Sequence, residues 1–201
     1  GFDCAYCRPS FQRQSKRRKE CQDCYSYKPH CHENRLARLP SAQIIFVCGS
    51  ADVAFCPPDF MRRIIERIAK HNVRAPYKTY YLQSKKPACF RPFLADLPKN
   101  VILLTTLETN RDAGYRKISK APLPSVRYEQ FKSLEYPRKV VTIEPVLDFD
   151  LAEFVGWICS IRPEYVWLGF NSRPKSVVLP EPTEEKVQEL VNRLTDAGIA
   201  I

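Results

Sequence analysis

From residue 41 onward, short apolar runs alternate with stripes of helical spacing. Gln43–Cys48 (QIIFVC) reads as a buried strand, followed by a polar turn through Gly49, Ser50 and Asp52. Pro57 and Pro58 then open a helix whose apolar positions Phe60, Met61, Ile64, Ile65, Ile68 and Ala69 recur until Asn72. Thr79–Gln83 gives a second strand, a short helix is expected near Phe90–Asp96, and Val101–Leu107 gives a third strand. Pro124–Leu134 predicts a helix with Tyr128, Phe131 and Leu134 on one face, and Lys139–Ile143 is the fourth strand. Asp150 and Glu153 resemble a capping box before a helix that turns Leu151, Phe154, Val155 and Ile158 inward. Tyr165–Gly169 is the fifth strand. Thr183 is placed to cap a last helix, with Glu184 and Glu185 in its first turn and Gly198 at its C′ position.

Five strand–helix units in series, with no hairpin signal, imply a parallel sheet covered by helices, either doubly wound or closed toward a barrel. No Gly-x-Gly-x-x-Gly or Walker-type loop follows any strand, and six Gly leave little room for one. Ordinary dinucleotide and nucleoside-triphosphate sites are thereby disfavoured. In both architectures the carboxyl ends of the strands form the ligand face. Polar residues trail every strand there: Asp52, then Gln83 and Lys85, then Thr106 and Glu108, then Glu144, then Asn171. Glu108 and Glu144 stand out because neither lies beside a helix start that would call for an acid.

Composition narrows the class. At 201 residues, 44% hydrophobic and 27% charged, the chain is not disordered. No apolar run nears the ~18 residues of a membrane-spanning helix, and no signal peptide opens the sequence. Paired Cys-x2-Cys motifs without a secretory signal point to a reducing, cytoplasmic setting. Residues 1–40 form a Cys-rich basic segment ahead of the strand–helix repeats of 41–201. That segment holds nine Lys/Arg (Arg8, Arg13, Lys16, Arg17, Arg18, Lys19, Lys28, Arg35, Arg38) against four acids (Asp3, Glu20, Asp23, Glu33). Tyr6, Phe11, Tyr25 and Tyr27 are interleaved with them, a mixture suited to phosphate contact and base stacking by residues 8–38, or else to a solvated basic helix.

Nine Cys cannot pair completely within one chain, and five of them fall in the first 31 residues. Cys4-x2-Cys7 and Cys21-x2-Cys24 each have the spacing to hold one metal ion. Thirteen residues separate the pairs, just short of the usual gap in four-cysteine zinc sites. Cys31 is flanked by His30 and His32, so Cys21, Cys24, Cys31 and His32 make a candidate site, with zinc favoured by the nearby His. Cys48, Cys56, Cys89 and Cys159 are scattered and read as small buried hydrophobes.

A Cys immediately before Gly1 in a longer parent would complete Cys-x3-Cys4-Ala5-Tyr6-Cys7, which resembles the signature of the radical SAM superfamily. The stretch YCRPSFQRQSKRRKECQDCYSYKPHCH, then YLQSKKP, TTLETNRD, SKAP, VTIEPVLDFD and WLGFNS, resembles an uncharacterised radical-SAM-like family of phages and archaea, over nearly the whole chain. Spore photoproduct lyase is a distant relative in that superfamily. The resemblance implies a partial (β/α)6 barrel of the TIM type, lacking its first strand in this chain. It also implies a [4Fe–4S] cluster with S-adenosylmethionine (SAM) on its open iron, reductive cleavage to a 5′-deoxyadenosyl radical, and an electron-donor partner. Cys4 and Cys7 correspond to the second and third cluster ligands, and Tyr6 to the aromatic whose backbone meets the adenine. Asp52 stands where an acidic segment often reads the SAM amino group. Gln83, Thr106, Glu108, Glu144 and Asn171 would line the cofactor and substrate face, and no residue is assigned a catalytic role. With two of three cluster ligands, residues 1–201 are expected not to hold a stable catalytic cluster. The resemblance leaves the substrate open, with nucleic acid among the candidates. A zinc-stabilised nucleic-acid-binding module without catalysis is the alternative.

Overall fold

The computed structural model describes residues 1–7, 14–37, 39–49 and 51–201. Arg8, Phe11, Arg13, Arg38 and Ser50 therefore lie outside the described residues.

Five strands form one sheet: β1 (Ile44–Val47), β2 (Thr79–Gln83), β3 (Val101–Thr106), β4 (Lys139–Ile143) and β5 (Tyr165–Leu168). All are parallel and the spatial order follows the chain, β1-β2-β3-β4-β5. Among the described residues, the α-helices of four residues or more are α1 (Gln22–Tyr25), α2 (Pro58–Asn72), α3 (Pro124–Lys132), α4 (Leu151–Ile161) and α5 (Glu184–Asp196). The β2–β3 connection is a 3-10 segment, Pro87–Asp96, rather than an α-helix. Pro87 fits its first turn, but Pro92 inside it can donate no backbone N–H.

Alternation along the strands divides the core in two. Tyr80, Leu82, Leu103, Val141, Ile143 and Val166 face the helices, where Met61, Ile64, Ile68, Phe131, Phe154, Ile158, Leu190 and Leu194 cover them. Tyr81, Ile102, Leu104 and Val140 point to the other face, with Tyr165 and Trp167 packed against them. On that face the rings of Phe46 in β1 and Trp167 in β5 are 5.7 Å apart. In a flat sheet those two strands would stand about 19 Å apart, at ~4.8 Å per step. The sheet is therefore strongly curled, with its helix-free face concave.

The helix ends show which local signals act. Thr183 caps α5, its Oγ1 accepting from Lys186 N at 3.2 Å, and Gly198 takes φ 79° beyond the C-terminus. Asp150 occupies the N-cap of α4 but makes no side-chain cap bond. Arg111 claims its carboxylate instead, and Glu153 accepts from Asn110 Nδ2 at 2.9 Å. The capping box expected at Asp150–Glu153 does not form, because a tertiary guanidinium outcompetes the local backbone N–H groups.

Candidate metal centre and ligand face

Residues 21–32 hold one short helix, α1, closed by backbone bonds from Tyr27 N to Cys24 O at 3.0 Å and from Lys28 N to Asp23 O at 2.9 Å. The donor atoms of Cys21, Cys24, His30 and His32 all lie within 4.8 Å of one another, the one group of three or more possible ligands so gathered among the described residues. Cys24 Sγ lies 3.1 Å from His32 Nε2 and 3.4 Å from His30 Nε2; Cys21 Sγ lies 3.4 Å from His30 Nε2. These are the separations that the corners of a small tetrahedron require, and Cys2His2 is a zinc-type donor set. The Cys21–Cys24 pair is set by α1, where Cys21 is the N-cap and its sulfur accepts from Cys24 N at 3.4 Å. That backbone bond lowers the Cys21 thiol from its ordinary value, while burial raises Cys24. Burial, and then Arg35, lower the His32 imidazole and so favour its neutral, ligating form. His30 Nδ1 lies 2.8 Å from Lys28 O, a partner that fixes the ring with Nε2 toward the group.

Cys31 was expected beside Cys21, Cys24 and His32. His30, not Cys31, completes the set with Cys21, Cys24 and His32. His30 Nε2 and His32 Nε2 lie 2.9 Å apart, so these two rings turn to one side of the stretch.

Cys4 and Cys7 lie elsewhere, over the carboxyl ends of the strands. Residues 1–7 are tied to the segment after β3 by Ala5 N to Ile118 O and Lys120 N to Phe2 O, both 2.9 Å. Phe2 and Tyr6 pack there against Tyr115, Ala121 and Leu147. Cys4 Sγ stands 3.0 Å from Ser119 Oγ and receives Lys85 Nζ at 3.4 Å. Burial pushes the Cys7 thiol up to about 11, against the pull of Lys85.

Beneath these cysteines is a buried ionic cluster. Glu108 is fully enclosed; its Oε1 accepts from Lys85 Nζ at 2.6 Å, from Tyr115 OH at 3.0 Å and from Tyr6 OH. Arg127 Nη2, also fully enclosed, stands 2.8 Å from Oε2 as an ion pair, out of line for a hydrogen bond. Arg127 Nη1 donates to Thr106 O. Burial alone would raise the Glu108 carboxyl, yet Arg127 first and Lys85 next hold it well below the usual carboxylate range. Burial would lower Lys85 and the Glu108 charge more than offsets it, so the ammonium is held above its ordinary value. Two cations face one carboxylate, and the surplus positive charge lies against the Cys4 sulfur.

The other candidates divide between this face and local duties. Gln83 Nε2 donates to Thr106 Oγ1 at 3.0 Å and Thr142 Oγ1 at 3.2 Å, linking three strand ends on the concave face. Glu144 is exposed at the end of β4, and its Cγ would lie 3.1 Å from a Cβ placed on Gly169, so the bare glycine leaves room for it. Asp52 is engaged within the chain: it accepts from Ala54 N at 2.8 Å, Ser84 Oγ at 2.7 Å and Lys85 N at 2.8 Å, clamping the loops after β1 and β2. Asn171 shapes its own loop through Val177 O at 2.7 Å and Arg173 N at 3.0 Å. Sequence reasoning missed Arg127 and Ser119. Arg127 had a visible sign, since it shares the inward stripe of α3 with Pro124, Tyr128 and Phe131.

A cavity of about 510 Å³ lies beside the Cys2His2 group, lined by Arg18, Arg35, Asn34 and the acids Glu20 and Asp23 among others. No helix among the described residues is long and apolar enough to cross a membrane. No family model, curated protein or solved structure matches the chain.

Proposed function

We propose that the chain is a radical SAM-type enzyme on a partial (β/α) barrel, stabilised by zinc in its Cys2His2 group and working at the carboxyl ends of the strands. The observation that carries this reading is the placement of Cys4, Tyr6 and Cys7 over those ends, directly above the Lys85–Glu108–Arg127 cluster. The barrel is supported by the consecutive parallel strand order and by the ring contact between β1 and β5 across the concave face.

The fit to a cluster is partial. Cys4 and Cys7 would supply two of its thiolates, and among the described residues no third Cys, His or carboxylate joins them. When bound, such a cluster with SAM supplies reductive cleavage to a carbon-centred radical. The chain's own residues act around that chemistry. Lys85 Nζ lies against the Cys4 sulfur, where it would offset the charge of a ligating thiolate, and Glu108 keeps two buried cations in place. Gln83, Thr106 and Thr142 present a hydrogen-bonding floor for a polar substrate. Tyr6 and Tyr115 cover the Glu108 carboxylate, each donating its hydroxyl to Oε1.

Full-length natural protein purified without oxygen is expected to contain iron and acid-labile sulfide that depend on Cys4 and Cys7, and to convert SAM to 5′-deoxyadenosine given an electron donor. Stoichiometric zinc with neither iron nor SAM cleavage would overturn the reading.

A second reading is a zinc-stabilised nucleic-acid-binding module, supported by Arg18 and Arg35 beside the Cys2His2 group, where Glu20 and Asp23 also lie. It predicts binding to DNA or RNA that weakens steeply with salt and is lost in Arg17→Ala, Arg18→Ala chains that retain their zinc.

A further inference from the structure

The concave face of the sheet is graded along the strands from rings to polar groups. Phe46, Tyr81 and Trp167 form one layer on it. Their ring centroids are 5.0 Å apart for Phe46–Tyr81, 5.7 Å for Phe46–Trp167 and 5.4 Å for Tyr81–Trp167. Those are already ring–ring contacts, so an added ring stacks across the layer rather than between its members. Phe46 is 44% exposed, which leaves the layer open to such a ring. Next toward the carboxyl ends comes Gln83, two residues beyond Tyr81. Its Nε2 donates to Thr106 Oγ1 and Thr142 Oγ1, which spends both amide hydrogens and leaves Oε1 as an acceptor.

Glu144 stands at the rim of this face, two residues beyond Thr142. Gly169, two residues beyond Trp167, lies against it: a Cβ there would meet Glu144 Cγ at 3.1 Å and Cδ at 3.2 Å. Gly169 N donates to Ile143 O at 3.0 Å and Val146 N to Gly169 O at 2.8 Å, so the ends of β4 and β5 are tied on both sides of Glu144. Glu144 is exposed and has no hydrogen-bond or ion-pair partner among the described residues. A bare glycine thus seats an unpartnered carboxylate at a fixed strand end, one strand repeat of about 7 Å from the aromatic layer.

We propose that this face binds guanine, its ring stacked across the Phe46–Trp167 layer and its Watson–Crick edge on the Glu144 carboxylate. The inference rests on the reading of the strand ends as the working face, and it names the substrate class. The two oxygens of an ionised carboxylate only accept, and together they take two parallel N–H bonds. Among the common bases guanine offers two such adjacent donors, N1–H and the 2-amino group. Adenine and cytosine set a ring acceptor beside their amino group, and its lone pair would face the carboxylate. Stacking on exposed rings with the Watson–Crick edge read by side chains is how proteins hold an unpaired base. A free nucleoside and an unpaired nucleic-acid strand both present it.

Isothermal titration of the full-length protein, loaded with zinc and free of iron and SAM, is the test. Guanosine should bind saturably. Inosine, which lacks only the 2-amino group, should bind at least about tenfold more weakly, the worth of one hydrogen bond to a charged acceptor. Glu144→Gln should bring guanosine down to the inosine level, whereas Phe46→Ala should weaken both by a similar factor. Glu144 is exposed and without internal contacts, so its variant decides alone if Phe46→Ala fails to fold. A single-stranded oligonucleotide with one guanine separates the sources: tighter binding than guanosine assigns a strand, and equal or weaker binding assigns the nucleoside. Binding of neither, equal affinity for guanosine and inosine, or an unchanged guanosine affinity in Glu144→Gln would overturn the proposal. So would binding of adenosine and SAM alone, which would make this the cofactor's own site. Because iron and SAM are left out, this binding and the cleavage of SAM fail independently of one another.

Discussion

Glu108→Gln keeps the volume of the side chain and removes its charge, leaving Lys85 and Arg127 as buried cations without a counter-ion. The Lys85 side chain is 12% exposed and that of Arg127 fully enclosed, so water recovers little of the loss. Breaking a buried pair by removing one partner costs about 3–5 kcal/mol. For a chain of this length that corresponds to a fall in Tm of about 10 °C, at roughly 2–4 °C per kcal/mol. The pH dependence carries the sign. Because the folded carboxyl is held well below its ordinary 4.5, its stabilisation is present in full above that value and is lost as pH falls beneath it. The assay is thermal melting of wild type and variant at pH 7 and down toward pH 3. The gap between them should be large at neutral pH and narrow with acid. A second melt with Lys85→Met tests coupling, since the Lys85→Met, Glu108→Gln chain should lose less than the two single losses together. A neutral-pH shift under about 3 °C, or a gap that does not narrow with acid, would refute the reasoning.

Three further outcomes follow from the geometry. His30→Ala should release the metal of the Cys2His2 group, whereas Cys31→Ser should leave its affinity unchanged, as read by metal titration with a competing chelator. Phe154→Ala empties a fully enclosed position in the helix-side core and should cost about 3–5 kcal/mol by urea denaturation. Thr183→Ala removes the cap of α5 and should cost about 1 kcal/mol in the same assay, with the m-value unchanged.

The strands were legible in the sequence to within a residue because each is a compact apolar run rich in branched and aromatic residues, set between polar stretches. α2 and α5 were equally plain, since proline at N1 and a Thr cap act locally. What the sequence could not show depends on contacts across the fold. Asp150 failed as a cap because Arg111, thirty-nine residues away, reaches its carboxylate. Cys31 lost its place to His30 because spacing alone does not say to which side of an irregular chain a side chain points. Glu108 stood out in the sequence as an acid with no helix start beside it, and the fold pairs it with Lys85 and Arg127; Arg127 was hidden in a helix otherwise read for its apolar face.

The central claim is that Cys4 and Cys7 bring redox chemistry to the strand ends. Its most direct test is release of 5′-deoxyadenosine from SAM by anaerobic, iron- and sulfide-reconstituted full-length protein, beside its Cys7→Ser form. The account predicts release by wild type and none by Cys7→Ser, with zinc at the Cys2His2 group intact in both. No release by a wild-type protein that has taken up its zinc, or equal release by both forms, would contradict it.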